Sequence, residues 1–282
     1  MTNVIKEEFR IYNSKNLPIN GDIRYPNKTG KFPAILVLHG FKGFKDWGFM
    51  PYVSEQLASI WAMTLCINFS HNGIKDSKDL FVDDLENFAE NTVSQEVDDV
   101  ECVINAIYSN EIDDLRERWN GEIYLIGHSL GGGISMLTAK QDDRINKIAL
   151  WATIGKFDRY TDRQKKDWKE KGYIEFVNAK TNQMLKMNYK YLEDLEKNNY
   201  YLLNDVLAEI KIPVLIVHGL QDLTIRPKEI RDMLDGNLNA NIKVEFVPKT
   251  GHTFGIEHPF NKTTIALEKA IELTSEFFFG NK

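Results

Sequence analysis

Gly127-His128-Ser129-Leu130-Gly131 constrains the fold of this chain more than any other stretch. A serine between two glycines stands where a short apolar run, Ile123-Tyr124-Leu125-Ile126, reads as a buried strand and the segment from Leu130 to Lys140 can continue as a helix. That setting matches the nucleophile elbow, a strained strand-to-helix turn that presents a serine hydroxyl at the end of a sheet. Side chains at Gly127 and Gly131 would clash as the chain reverses, while Gly132 and Gly133 allow a helix to lie close on a sheet.

A serine hydroxyl is a poor nucleophile at neutral pH. It needs a base to take its proton and a carboxylate to orient that base. After an elbow the partners follow in the order Ser, then Asp or Glu, then His, each on a loop that leaves a strand. Val214-Leu215-Ile216-Val217-His218-Gly219 is a continuous apolar strand ending in glycine, and Asp222 follows it. Lys243-Val244-Glu245-Phe246-Val247 alternates as a strand, residues 248–251 turn out of it, and His252 comes next. Ser129, Asp222 and His252 are therefore the candidate catalytic residues. His258, in Glu257-His258-Pro259, stands further from the strand and reads as a loop residue, and neither Asp205 nor Asp235 directly follows a strand. His39 and His218 each precede a glycine at a strand end and read as hydrogen-bonding supports of loops. His71 reads as a polar loop residue.

With these residues in view, the chain resembles the α/β-hydrolase superfamily from Arg10 to Phe279. His39-Gly40-Phe41-Lys42-Gly43, Gly127-His128-Ser129-Leu130-Gly131-Gly132 and His218-Gly219-Leu220-Gln221-Asp222 are similar to bacterial carboxylesterases related to cinnamoyl esterases, dienelactone hydrolases and the catalytic domains of prolyl oligopeptidases. Dienelactone hydrolases use a cysteine nucleophile, and Ser129 departs from them. The resemblance implies an α/β fold with a mostly parallel central sheet, helices on both faces and a helical lid inserted after the sixth strand. It also implies an oxyanion hole of two backbone amides, Leu130 next to the serine and Phe41 in the loop after the third strand. Such a mechanism requires no cofactor and no metal.

The formal net charge of −6 lacks the basic footprint that neutralises phosphates, so it argues against a nucleic-acid partner and an anionic membrane surface. The start of the chain, from Met1 to Glu8, has no apolar stretch like a signal peptide, and no segment is long and apolar enough to span a bilayer. A cytoplasmic location is the expectation. Cys66 falls in an expected strand and Cys102 in an expected helix, so both read as small core residues, without the spacing of a zinc site.

Strands are expected at Ile5–Tyr12, Ile19–Tyr25, Ala34–Leu38, Met63–Asn68 and Ile145–Trp151, the first two as a hairpin at the sheet edge. Helices are expected at Trp47–Ile60, Thr92–Tyr108 and Thr264–Phe279. In the second, Val93, Val97, Val100, Ile104 and Ile107 form a stripe, and Thr92 with Gln95 has the spacing of a capping box. Residues 1–153 and 204–282 read as the core and 154–203 as the helical lid. The lid is rich in aromatics and mixed charge, including Trp168, Tyr173 and Tyr201. Its Arg163-Gln164-Lys165-Lys166 run reads as a solvated helix face, and nothing singles out Arg159. Trp168 and Tyr173 are candidate substrate-binding residues, with packing inside the lid as the competing role.

The function expected from these readings is a serine carboxylesterase for a small or medium-sized ester, acting through an acyl-enzyme. An amidase or peptidase for short substrates with the same residues remains open, as does a binding protein on the same scaffold. The oligomeric state is open.

Overall fold

The computed structural model describes residues 3–75, 80–112, 115–178, 180–200 and 202–280. Tyr201 thus lies outside the described residues. The chain opens with strands β1 (Val4–Tyr12) and β2 (Pro18–Pro26), paired antiparallel as the expected edge hairpin. Then come β3 (Phe32–Leu38), α1 (Met50–Ile60), β4 (Met63–Asn68), α2 (Leu85–Ala89), α3 (Val93–Ser109), α4 (Leu115–Arg118), β5 (Trp119–His128), α5 (Leu130–Gln141) and β6 (Ile145–Trp151). An insertion follows, with α6 (Asp162–Lys171), β7 (Tyr173–Asn178), β8 (Gln183–Asn188) and α7 (Lys190–Asn198). The chain closes with α8 (Asn204–Glu209), β9 (Val214–Gly219), α9 (Pro227–Leu234), β10 (Ile242–Val247) and α10 (Ile265–Phe279).

Eight strands form one sheet in the order β1-β2-β4-β3-β5-β6-β9-β10. β2 runs antiparallel to both of its neighbours, and the remaining pairs are parallel. The unbroken apolar runs are explained by burial on two faces, as parallel sheets require. Leu36, Leu125, Leu150 and Ile216 point to a core shared with α3, α5 and the insertion. Their neighbours Val37, Ile126, Trp151 and Val217 point to the opposite core under α1 and α10. The stripe on α3 is buried in the first core throughout. Thr92 accepts the Gln95 N–H at 3.2 Å, but the return arm of the capping box is absent, because the Gln95 side chain turns to Asp98 and Asp99. α1 begins at Met50, later than Trp47, where Pro51 fits the first turn and needs no donor of its own.

The insertion departs from the purely helical expectation. β7 and β8 form an antiparallel hairpin separate from the central sheet. The signal was the alternation of half-buried Ile174 and Phe176 with exposed Glu175 and Val177. An antiparallel bridge between Lys156 and Leu202 draws the two ends of the insertion together. α6 is solvated except for Trp168, in agreement with its charge run, and Arg159 forks onto Glu229 at 2.7 and 3.0 Å. Among the described residues no helix is long and apolar enough to cross a membrane.

Candidate active site

Ser129 sits between β5 and α5 with φ 55° and ψ −115°. Its N–H donates to Trp151 O at 2.9 Å, and its carbonyl accepts the N–H groups of Gly132 and Ile154 at 3.1 and 3.2 Å. The glycines around it are explained by close approach. A Cβ on Gly127 would lie 2.2 Å from the Gly131 carbonyl oxygen, and one on Gly131 would lie 2.5 Å from that of Leu38. Although Ser129 is the residue before α5, its side chain makes no capping bond. Leu130 opens the helix, so its N–H is one of the donors that a helix N-terminus leaves without an intrahelical partner.

Asp222, 1 % exposed, lies in the loop after β9. One of its oxygens accepts the N–H groups of Thr224 and Ile225 at 2.8 and 2.9 Å, and the other lies 2.8 Å from His252 Nδ1. Burial favours the protonated acid, but the hydrogen bonds from His252 and the Ile225 backbone outweigh it and hold Asp222 below the usual carboxylate range. His252 follows β10 in chain order, and its carbonyl accepts a hydrogen bond from His128 Nε2 at 3.0 Å. Burial and the nearby His252 lower His128 to about 3, so His128 is a neutral strut.

The supporting histidines behave as their positions imply. His39, lowered to about 4 by burial, donates from Nδ1 to Gly40 O at 2.9 Å and accepts the Phe69 N–H on Nε2 at 3.3 Å. Gly43 N–H also donates to Gly40 O, so the Phe41 peptide is carried by a loop tied at both ends. His218 donates to Ile225 O at 2.8 Å, beside Asp222. His71 bonds Ser70 Oγ at 3.2 Å. His258 accepts the Gly48 N–H at 3.0 Å, which pins the β3–α1 loop. Asp205 falls in the first turn of α8 and Asp235 caps α9.

A cavity of about 330 Å³ is lined by both Ser129 and His252, together with Gly40, Phe41, Trp47 and Met50. The structure does not place Trp168 or Tyr173 on it. Trp168 is 1 % exposed and packs against Tyr160 and Tyr191, because it is the one large apolar side chain that α6 buries. Tyr173 lines a separate cleft beside α6. The insertion reaches the cavity instead through Asn178 and Lys180 at the hairpin turn, which sequence reasoning missed together with Leu80 and Lys42. Phe41 is half exposed, its ring 5.4 Å from that of Phe176 on β7.

No family model matches the chain, and neither does any curated protein. Solved structures do. Est1E from Butyrivibrio proteoclasticus with bound ferulic acid is 21 % identical, with a TM-score of 0.71 over 95 % of this chain and 97 % of its own. The α/β hydrolase GrgF from Penicillium sp. sh18 is 15 % identical, with a TM-score of 0.71 over 97 % of each chain. The Pyrococcus furiosus esterase Pf2001 is 15 % identical, with a TM-score of 0.64 over 97 % of this chain and 89 % of its own. At such identities the likeness concerns architecture, and with the sheet order and the elbow it establishes that the chain has the α/β-hydrolase fold.

Proposed function

We propose that the protein is a serine hydrolase that cleaves carboxylic esters of small or medium-sized molecules through an acyl-enzyme. The observation that carries the reading is the pairing of His252 Nδ1 with buried Asp222 at 2.8 Å, on a cavity whose wall includes both His252 and Ser129. With Nδ1 engaged by the carboxylate, Nε2 is the nitrogen left to take the Ser129 proton, and Asp222 favours the imidazolium that forms. Ser129 Oγ attacks the ester carbonyl, and the proton held by His252 passes to the departing alcohol. Water then repeats the sequence on the acyl-enzyme. The Leu130 and Phe41 amides are the donors for the oxyanion, each worth about 2.7 to 4 kcal/mol of transition-state stabilisation in sites of this kind.

The cavity volume supports a small or medium-sized substrate. The likeness to Pf2001, an esterase by name, supports an ester over an amide. The test combines a fluorophosphonate probe with matched 4-nitrophenyl esters and 4-nitroanilides. The expected result is labelling at Ser129, turnover of the esters well above the anilides, and loss of both labelling and turnover in Ser129→Ala with the melting temperature retained. Ser129→Ala turnover within about tenfold of wild type would overturn the assignment, since triad residues contribute far more.

A further inference from the structure

The wall of the Ser129 cavity carries two lysines, Lys42 and Lys180. Lys42 belongs to the loop that also holds Phe41 and is half-buried. Its ammonium lies 5.8 Å from the ring of Phe41 and 5.9 Å from that of Phe176, at the outer limit of a cation–π contact. Lys180 stands on the exposed hairpin turn between β7 and β8. Neither lysine forms an ion pair among the described residues. Burial of Lys42 without a counter-charge lowers its ammonium below the usual lysine range, a cost that a bound anion would relieve. Among the described residues the cavity wall offers one carboxylate, Glu257, which is exposed and whose backbone lies against Gly48. In a chain of net charge −6, the cavity therefore holds more cation than anion.

We propose that Lys42 and Lys180 form an anion subsite of this cavity, and that the substrate is an ester carrying a second, free carboxylate. The inference rests on the esterase reading of the same cavity and adds the class of substrate. The geometry bounds where the carboxylate lies. A Cβ on Gly40 would stand 2.9 Å from Ser129 Cβ, and the Cα of Lys42 is at most about 7 Å further along the chain from that of Gly40. With the side chain of Lys42 extending beyond that Cα, the subsite proposed is for a carboxylate joined by a short chain to the scissile carbonyl, on either the acyl or the alcohol half of the ester.

The test compares kcat/KM within two pairs of esters. In the first pair, mono-4-nitrophenyl glutarate adds a carboxylate to the acyl half of 4-nitrophenyl butyrate. In the second, 4-carboxyphenyl butyrate adds it to the alcohol half of phenyl butyrate. The readout is the anionic-to-neutral ratio, which cancels any effect common to a pair. One of the two ratios is expected to fall at least about tenfold in Lys42→Met and in the double variant with Lys180→Met, and to be largely kept in Lys42→Arg. In wild type the same ratio falls as salt is added. The pair that responds identifies the half that carries the charge. Ratios unchanged in both pairs overturn the subsite, including the case where all four rates fall together, because Lys42 would then serve the reacting charge or the loop. Should Lys42→Met not fold, an unchanged ratio in Lys180→Met with no salt dependence in wild type overturns it equally. Wild type that hydrolyses none of the four esters overturns the esterase reading and the subsite with it, whereas unchanged ratios with good turnover overturn the subsite alone.

Discussion

Ser129 holds a positive φ that costs of the order of 1–3 kcal/mol for a residue with a side chain. Three backbone hydrogen bonds and the glycines around it hold the turn in place. Gly131 is one of the positions that leave no room for a side chain, since a Cβ there would press on the carbonyl oxygens of both Leu38 and His39. Gly131→Ala is expected to cost about 1–3 kcal/mol as backbone shifts to make space, and a thermal melt reads it as a fall of several degrees. A melting point equal to wild type would contradict the close packing. The two nearby histidines separate in the same way. His252→Ala is expected to lower ester kcat by more than about a thousandfold, while His258→Ala, which loses a bond to Gly48 N–H, costs less than about tenfold. Steady-state kinetics on one 4-nitrophenyl ester distinguishes them, and the reverse order would make His258 the base.

Among the elements, the insertion shows most clearly how a side chain's type fails to reveal its role. An aromatic on a charged helix reads equally well as a substrate wall or as the helix's anchor, and only the direction of burial decides. Trp168 anchors α6 on Tyr160 and Tyr191. Trp168→Ala is therefore expected to cost about 3–5 kcal/mol, with the melting point lowered and short-chain, long-chain and aryl esters depressed alike. A change in selectivity among those esters at an unchanged melting point would return Trp168 to the cavity wall. The central elements were legible because their patterns are regular. The stripe on α3 repeats at helical spacing, and the apolar runs of β3, β5 and β9 read as strands from their short length and β-branched content. The β7–β8 hairpin is short, and its half-buried alternation was masked by the charges around it.

For the whole molecule, stability is expected to decline as pH rises, because two carboxyls are buried beneath the sheet's first face. Burial, with the nearby Asp99, pushes Glu96 up to about 8, and burial pushes Asp99 up to about 6. Both folded values lie above those of an unfolded chain, so the folded state binds more protons between the two. Their contribution is fully present below the unfolded carboxyl pKa, near about 4, and is lost as pH rises through about 6 for Asp99 and about 8 for Glu96. Glu96→Gln keeps an oxygen for the Asn91 amide and removes the charge. Its melting temperature is expected to fall less steeply than that of wild type between pH 5 and pH 9. Parallel profiles for the two proteins would show that Glu96 is not protonated in the folded state.

Local chemistry by itself determined the class of fold and the candidate residues. A serine between glycines, and an acid and a histidine after later strands, are spacings along the chain, and the backbone permits few ways to satisfy them. Two-faced burial likewise leaves its mark on composition, as runs without polar interruption. What lines the cavity was decided only by tertiary structure. Lys42, Leu80, Asn178 and Lys180 come from three separate segments of the chain and share no periodicity, so nothing local distinguishes them from solvated neighbours. They meet because the insertion is closed at its base by the Lys156–Leu202 bridge and its hairpin packs Phe176 on Phe41. That contact depends on long-range packing, for which the order of residues carries no local signal.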